Sequence, residues 1–447
     1  MFFRHLEARP HCRYPPVVVL HTSSGLPAVT RCCLAAVILA VCLTTRAQLN
    51  SPRQPIVVGY FGQWGLNADP PYSLRDLADN GGAALLDQID YAQASVKGGR
   101  CSLAEPQADL ATTYTADTSV SGNGDDPKSP FRGYLHQLQE LRRRFPRLHL
   151  LISLEGSAES FEEDAQPAQQ RAFVTSCVDM FLRGRFTPGV VEPGLFDGID
   201  LDWEYPQEKD AKHFEALLRE FRRQMETVRP GLLLAIAVGD HPTMTPGTDF
   251  RIVAGLVDQI GMMNYDYAGP WNSHTGLLAP LLPRENAPRN SGSIVGSLTA
   301  YEQAGVPRRK LLMGLPFYGY QWRGVEAANN GLYQAGNGVP EDKPYRFIRT
   351  LPKTYSLFRD ERSQAPWLFD GGNFWTFEDP VSVNYKVSYA ARQHLAGVMI
   401  WELGGDTEES TLLKVAWQAL RHPLDMTVID DLAAEPEPTV TGMEHVE

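Results

Sequence analysis

The chain has 447 residues, 43% hydrophobic, 10% aromatic and 21% charged, an ordinary globular composition that excludes a collagen-like or low-complexity protein. That length does not demand two cores, because barrel folds of this size run as one unit. With 41 basic and 53 acidic residues the net charge is −12, which disfavours nucleic acid and anionic membrane as partners and leaves a neutral polymer unrepelled.

The first element in chain order is the apolar run from Cys32 to Leu43, about a dozen residues and too short for a permanent transmembrane helix. It reads as the core of a signal peptide over residues 1–47. Arg31 precedes it, and Thr45-Arg46-Ala47 fits cleavage after Ala47. The expected location is therefore secreted or periplasmic. The thirty residues ahead of the run are long for such a leader, and Leu39-Ala40-Val41-Cys42 only faintly matches a lipoprotein box, because Val before the Cys is atypical. Four of the six cysteines leave with this segment. Cys101 and Cys177 remain, either as a disulfide or as two separate buried thiols, and spacing does not decide between them. No His or Cys cluster has zinc spacing and no glycine-rich phosphate loop follows a strand, so neither a metal nor a cofactor is expected.

From Ile56 onward the sequence shows eight short apolar runs: Ile56 to Phe61, Ile89 to Val96, Leu148 to Leu154, Phe196 to Trp203, Leu232 to Val238, Val257 to Tyr267, Leu311 to Phe317 and Gly397 to Leu403. Amphipathic stretches lie between several of them. In Ala211 to Val228, for example, Phe214, Leu217, Leu218, Phe221 and Met225 repeat at helical spacing. Eight alternations of strand and helix predict parallel strands closed into a (β/α)8 TIM barrel, over residues 48–425, with its site at the C-terminal strand ends. The interval between the seventh and eighth runs is too long for a structureless loop. Residues 321–375 are therefore expected to form a small inserted α+β lobe. The acidic tail 426–447, with Glu435-Pro436-Glu437-Pro438, is expected to be disordered.

The chemistry concentrates in Phe196-Asp197-Gly198-Ile199-Asp200-Leu201-Asp202-Trp203-Glu204-Tyr205-Pro206. Side chains alternate on a strand, so Asp200, Asp202 and Glu204 share one face while Ile199, Leu201 and Trp203 share the other. In a barrel the acids point inward and climb about 3.3 Å per residue toward the mouth, with Glu204 outermost. Asp197 is out of phase and is assigned to the strand entrance, where Gly198 allows close approach. Three stacked carboxyls in low dielectric cannot all ionise. Asp200 and Asp202 are expected to share a proton while Glu204 holds one ready for a leaving oxygen. A solvated acidic strand end or a calcium site would not require this strict alternation.

That stretch resembles the D-G-x-D-x-D-x-E signature of the family 18 glycoside hydrolases, the chitinase family, with every fixed position present. The resemblance runs from about Ile56 to Leu420. Val58-Gly59-Tyr60-Phe61 looks like the family's first strand, Met263-Asn264-Tyr265-Asp266 its M-x-Y-D motif, Gly314-Leu315-Pro316-Phe317-Tyr318-Gly319 its seventh strand and Val398-Met399-Ile400-Trp401-Glu402 its eighth. The run Phe377 to Ser382 resembles the close of the family's insertion. The resemblance implies hydrolysis of chitin or N-acetylglucosamine oligomers by a retaining mechanism in which the sugar's own acetamido oxygen attacks and Glu204 is acid and base. Asp202 would orient the acetamido group and Asp200 would support Asp202. Tyr265 and Asp266 would hydrogen-bond the N-acetyl group, Trp401 would floor the sugar, and Tyr60, Met263 and Tyr205 would complete the substrate-binding set. The implied partner is a polysaccharide acted on by a monomer.

Two positions depart from the family pattern. Gln93, in Tyr91-Ala92-Gln93-Ala94, stands where an aromatic is usual, and Glu155, in Ser153-Leu154-Glu155-Gly156, replaces a glycine. The second admits a modified substrate such as partly deacetylated chitin or peptidoglycan. The alternatives are a non-catalytic chitin-binding lectin, disfavoured by the presence of all three acids, and an endo-β-N-acetylglucosaminidase. Trp64, Trp271, Trp322, Trp367 and Trp375 are each either a sugar-stacking residue or core.

Overall fold

The computed structural model describes residues 54–288 and 291–426. The expected leader, its cleavage site and all but the first residue of the expected acidic tail lie outside the described residues. The barrel strands are β1 (Ile56–Gly62), β2 (Gln88–Lys97), β3 (His149–Glu155), β4 (Gly198–Asp202), β5 (Leu233–Val238), β6 (Gln259–Met262), β7 (Leu311–Pro316) and β8 (Gly397–Trp401). Each pairs in parallel with the next, and β8 returns to β1, so the ring closes. Closure leaves the ring without a free edge. A short strand, Arg100–Leu103, adds antiparallel to the far end of β2.

Outward-facing apolar residues of the ring pack beneath the helices. In β4, Ile199 and Leu201 are fully or almost fully buried. Just past its end Trp203 stacks on Phe161 at 5.5 Å and meets Phe214 edge-on at 5.8 Å. Phe214 belongs to the helix Ala211–Val228, whose Leu217, Leu218, Phe221 and Met225 are also buried. Each such side chain contributes roughly 1.5–3 kcal/mol through burial. Inside the ring a second apolar cluster of Val58, Tyr60, Ala92, Leu312 and Met399 fills the cylinder.

Asp197 anchors the entrance of β4. Its carboxylate accepts from Arg142 at 2.9 Å, Arg229 at 2.7 Å and the Leu150 N–H at 3.2 Å, with His149 at 3.4 Å. These donors hold its carboxyl well below the usual carboxylate range, although burial opposes them. Next to it, a Cβ on Gly198 would fall 2.1 Å from the Leu233 carbonyl oxygen. Only glycine lets β4 and β5 approach this closely.

The expected lobe is present between β7 and β8. Its six-stranded sheet begins at Tyr318–Arg323, before the boundary read from sequence, and its central partner is Asn373–Phe377, paired antiparallel with the first strand. Trp322, Trp367 and Trp375 lie in the lobe's core, each no more than 3% exposed. Cys101 and Cys177 form a disulfide with Cα atoms 4.9 Å apart, tying the strand beside β2 to the helix Gln170–Cys177. Several expected strands are shorter than their apolar runs, and in two of them the difference bears on the site. The run Val257 to Tyr267 yields a strand only over Gln259–Met262, because the chain then peels off and Asp266 takes a left-handed conformation at φ 61°. Likewise β4 stops at Asp202, so Glu204 stands beyond the strand rather than on it.

Candidate active site

The C-terminal ends of the strands surround an open cleft of about 900 Å³. At the bottom of the polar column beneath it, Asp200 is 1% exposed. Its Oδ2 accepts from the Tyr60 hydroxyl at 2.8 Å and the Ser153 hydroxyl at 3.0 Å. Burial pushes the Asp200 carboxyl up to about 6, and both hydroxyls pull it down, because they donate to the anion. Tyr60 is therefore below the cleft wall, holding Asp200, and its ring packs 5.4 Å from that of Trp401.

Asp202 is the next inward residue of β4. Its Oδ1 is buried and has no hydrogen-bond partner among the described residues. Desolvation raises its carboxyl well above the usual range, and the neighbouring charges of Glu204, Asp200 and Glu155 push the same way. Glu204 tops the column on the open side of the cleft. Desolvation raises its carboxyl too, while the Tyr205 hydroxyl opposes this by donating to it. All three acids thus climb one face in the expected order, although the third is carried by the loop.

The walls come from other strand ends. Met263 and Tyr265 follow β6 and line the cleft with Asp266. Asp266 accepts from the Tyr318 hydroxyl at 2.6 Å and the Tyr320 hydroxyl at 3.3 Å, both on the first strand of the lobe. Burial pushes Asp266 up to about 6 against those two donors. Trp401 closes β8 and lines the cleft with Trp64, whose indole N–H donates to Glu402 at 2.9 Å. Trp271 is 61% exposed at the rim, edge-on to Tyr320 at 5.5 Å. Of the five tryptophans held open between stacking and core, Trp64 and Trp271 line the cleft and the other three do not.

Both departures from the family pattern also face the cleft. Pairing between β2 and β3 slips between Ala92 and Ala94, a bulge that re-aims the intervening Gln93 into the opening. Glu155 ends β3 in register with Asp202.

Several contributors escaped the sequence reading. Asp90 on β2 is 2% exposed, sits opposite Tyr60 in register and accepts from Gln88 at 2.7 Å. Desolvation and the charge of Asp200 raise it well above the usual range. Its signal was available, because Gln88, Asp90 and Ala92 alternate with Ile89 and Tyr91 by the rule applied to β4. Asp240, beyond β5, and Asp342, in the lobe, line the cleft too. Nothing local in sequence links either to Glu204.

A model of the glycosyl hydrolases family 18 matches residues 56–406. Among curated relatives, chitinase C of Streptomyces lividans is 29% identical over 372 residues, covering 79% of this chain and 57% of the relative. Chitinase A1 of Niallia circulans is 30% identical, covering 71% of this chain and 48% of the relative. The chain thus spans about half the length of these relatives. Among solved structures, the catalytic domain of the psychrophilic chitinase B from Arthrobacter TAD20 superposes with a TM-score of 0.76 at 26% identity, covering 83% of this chain and 96% of that one. A family 18 N-acetylglucosaminidase from Paenibacillus barengoltzii gives a TM-score of 0.64 at 28% identity, covering 81% and 99%.

Proposed function

The chain belongs to the family 18 glycosyl hydrolases, and on that premise we propose that it hydrolyses β-1,4 linkages in chitin or N-acetylglucosamine oligomers with retention. The observation that carries this reading is the column Asp200, Asp202, Glu204, in which Asp202 offers a buried, unpartnered oxygen just below the topmost acid. An acetamido N–H is a suitable partner for that oxygen. Once it is engaged, the acetamido carbonyl oxygen attacks the anomeric carbon of its own sugar while Glu204 protonates the departing glycosidic oxygen. The cyclic oxazolinium ion so formed is positively charged, and the acids beneath it stabilise that charge. Water then attacks the anomeric carbon and returns a proton to Glu204, restoring both the acid and the acetamido group.

Tyr265 and Asp266 hold the N-acetyl group from the side, with Asp266 itself fixed by Tyr318 and Tyr320. Trp401 supplies the apolar floor and Met263 and Tyr205 complete the wall. Action outside the cytoplasm is supported by the Cys101–Cys177 disulfide, which persists in oxidising compartments. The test is release of a fluorophore from a chitobiose glycoside. The wild-type enzyme releases it, and Glu204→Gln, which keeps the shape but cannot donate the proton, lowers turnover by about 10²–10⁴-fold. Normal turnover in that variant would remove the assignment of Glu204, and no release by the wild type would favour a binding protein.

A further inference from the structure

We infer that Glu155 is a specificity-determining residue that takes the ammonium group of a deacetylated sugar, so that the preferred substrate is a partly deacetylated chitin rather than the fully acetylated polymer. The inference rests on the hydrolase reading above and narrows its substrate class.

Glu155 is the last residue of β3, exposed to the cleft and in register with Asp202. Its carboxylate has neither a hydrogen bond nor an ion pair with any described residue. The charged side chains lining the cleft are Glu155, Asp202, Glu204, Asp240, Asp266 and Asp342, and no Lys, Arg or His lines it among the described residues. Negative potential focused between low-dielectric walls attracts cations and gives nothing to a neutral chain. Of the other acids, Asp240 and Asp342 lie after β5 and in the lobe, whereas Glu155 is paired in register with the strand that carries Asp202. Asp266 is bonded by two tyrosines, and Asp202 and Glu204 belong to the column. Glu155 lies beside the reacting acids, where burial and the charge of Glu204 raise its carboxyl, so a cation placed against it favours its ionised form, and its negative charge in turn raises Asp202. Trp64, Trp271 and Trp401 supply flat apolar faces suited to sugar rings in the same cleft. Aromatic platforms select a sugar, and an unpaired carboxylate selects a cation on it.

The unit whose bond is cleaved must keep its acetyl group, because its amide is the nucleophile. The free amine therefore lies on an adjoining unit, where a charge-assisted N–H···O⁻ contact forms with Glu155. No bond is made or broken in this step.

The experiment compares kcat/KM on a fully acetylated N-acetylglucosamine pentamer with that on pentamers carrying one glucosamine at each position in turn, for wild type, Glu155→Gln and Glu155→Gly. In the wild type, one glucosamine position adjoining the cleaved unit is expected to raise kcat/KM about tenfold, a gain that added salt reduces. Both variants bring that ratio close to one. Affinity for the same pentamers, measured by calorimetry in a Glu204→Gln background with and without Glu155→Gln, shows the same change without turnover. A wild-type ratio of one or less at every position, or a ratio unchanged in the variants, overturns the inference while leaving the hydrolase reading intact. Failure of the wild type to cleave any pentamer removes the hydrolase reading and this inference with it.

Discussion

Tyr60 and Asp200, 140 residues apart in sequence, meet inside the barrel with the Tyr60 hydroxyl donating to Asp200 Oδ2 at 2.8 Å. The contact favours the ionised form of Asp200, and among the described residues Ser153 shares that oxygen with it. Tyr60→Phe removes a donor from an anion, so Asp200 keeps its proton to higher pH. A contact of about 1 kcal/mol corresponds to somewhat under one pH unit. The acid limb of the kcat/KM profile is expected to move upward by roughly that amount, whereas a purely structural loss would scale the profile without moving it.

Asp200 also links pH to stability. Its carboxyl loses a proton near the ordinary aspartate value when unfolded and at about 6 when folded. Between those values the folded state binds more protons, so stability falls as pH rises through that window and stays lower above it. Asp200→Asn removes the buried charge. The variant is expected to unfold at a higher temperature than wild type at pH 7, by on the order of 2 kcal/mol, with the gap closing near pH 4. Turnover falls in the same variant, so the residue is retained against its effect on stability.

Asp197 behaves in the opposite sense. Its arginine, histidine and backbone partners depress its carboxyl, so its stabilisation is present above the unfolded value and lost as pH falls toward the folded one. Asp197→Asn leaves Arg142 and Arg229 without their anion. With both arginines partly solvated, the cost is about 2 kcal/mol at pH 7. The gap between the denaturation midpoints of variant and wild type should begin to narrow only as pH falls below about 4 and should close only toward the depressed folded-state value.

The Cys101–Cys177 bond closes a loop with a sequence separation of 76. In the chain-entropy account such a crosslink stabilises by about 4.5 kcal/mol. The double Cys→Ser variant is expected to melt well below the oxidised enzyme and to be insensitive to added reductant. Equal melting temperatures would show that native packing alone fixes this corner.

Trp271 is expected to act on binding alone. Because it is 61% exposed, Trp271→Ala should change stability by no more than about 0.5 kcal/mol. The lost stacking face should raise KM on long oligomers several-fold, up to about tenfold, and leave short substrates that do not reach the rim unaffected.

What the sequence discloses about this molecule follows its periodicities. The period-2 alternation of Asp200, Asp202 and Glu204 against Ile199, Leu201 and Trp203 gave the column, its order and its opposite apolar phase. Counting apolar runs gave the closed ring, and the long seventh interval gave the lobe. The limits are equally physical. Apolar character continues past Met262 although the backbone turns away there, so the length of β6 was not readable. Cys101 and Cys177 gave no distance. Trp322, Trp367 and Trp375 have the same composition as sugar platforms, and only burial distinguishes them. Tyr318 and Tyr320 lie more than fifty residues from Asp266, and their meeting depends on how the lobe seats over β6.

That meeting of lobe and barrel bears on any redesign. Tyr318 and Tyr320 occupy the first strand of the insertion, yet both hold Asp266, which belongs to the loop after β6. The insertion is therefore not an interchangeable accessory. A chimaera that trades it for a shorter connection, to widen access to bulky glycans, would free a carboxyl at the wall of the reaction chamber and would have to transplant both phenols along with the new segment.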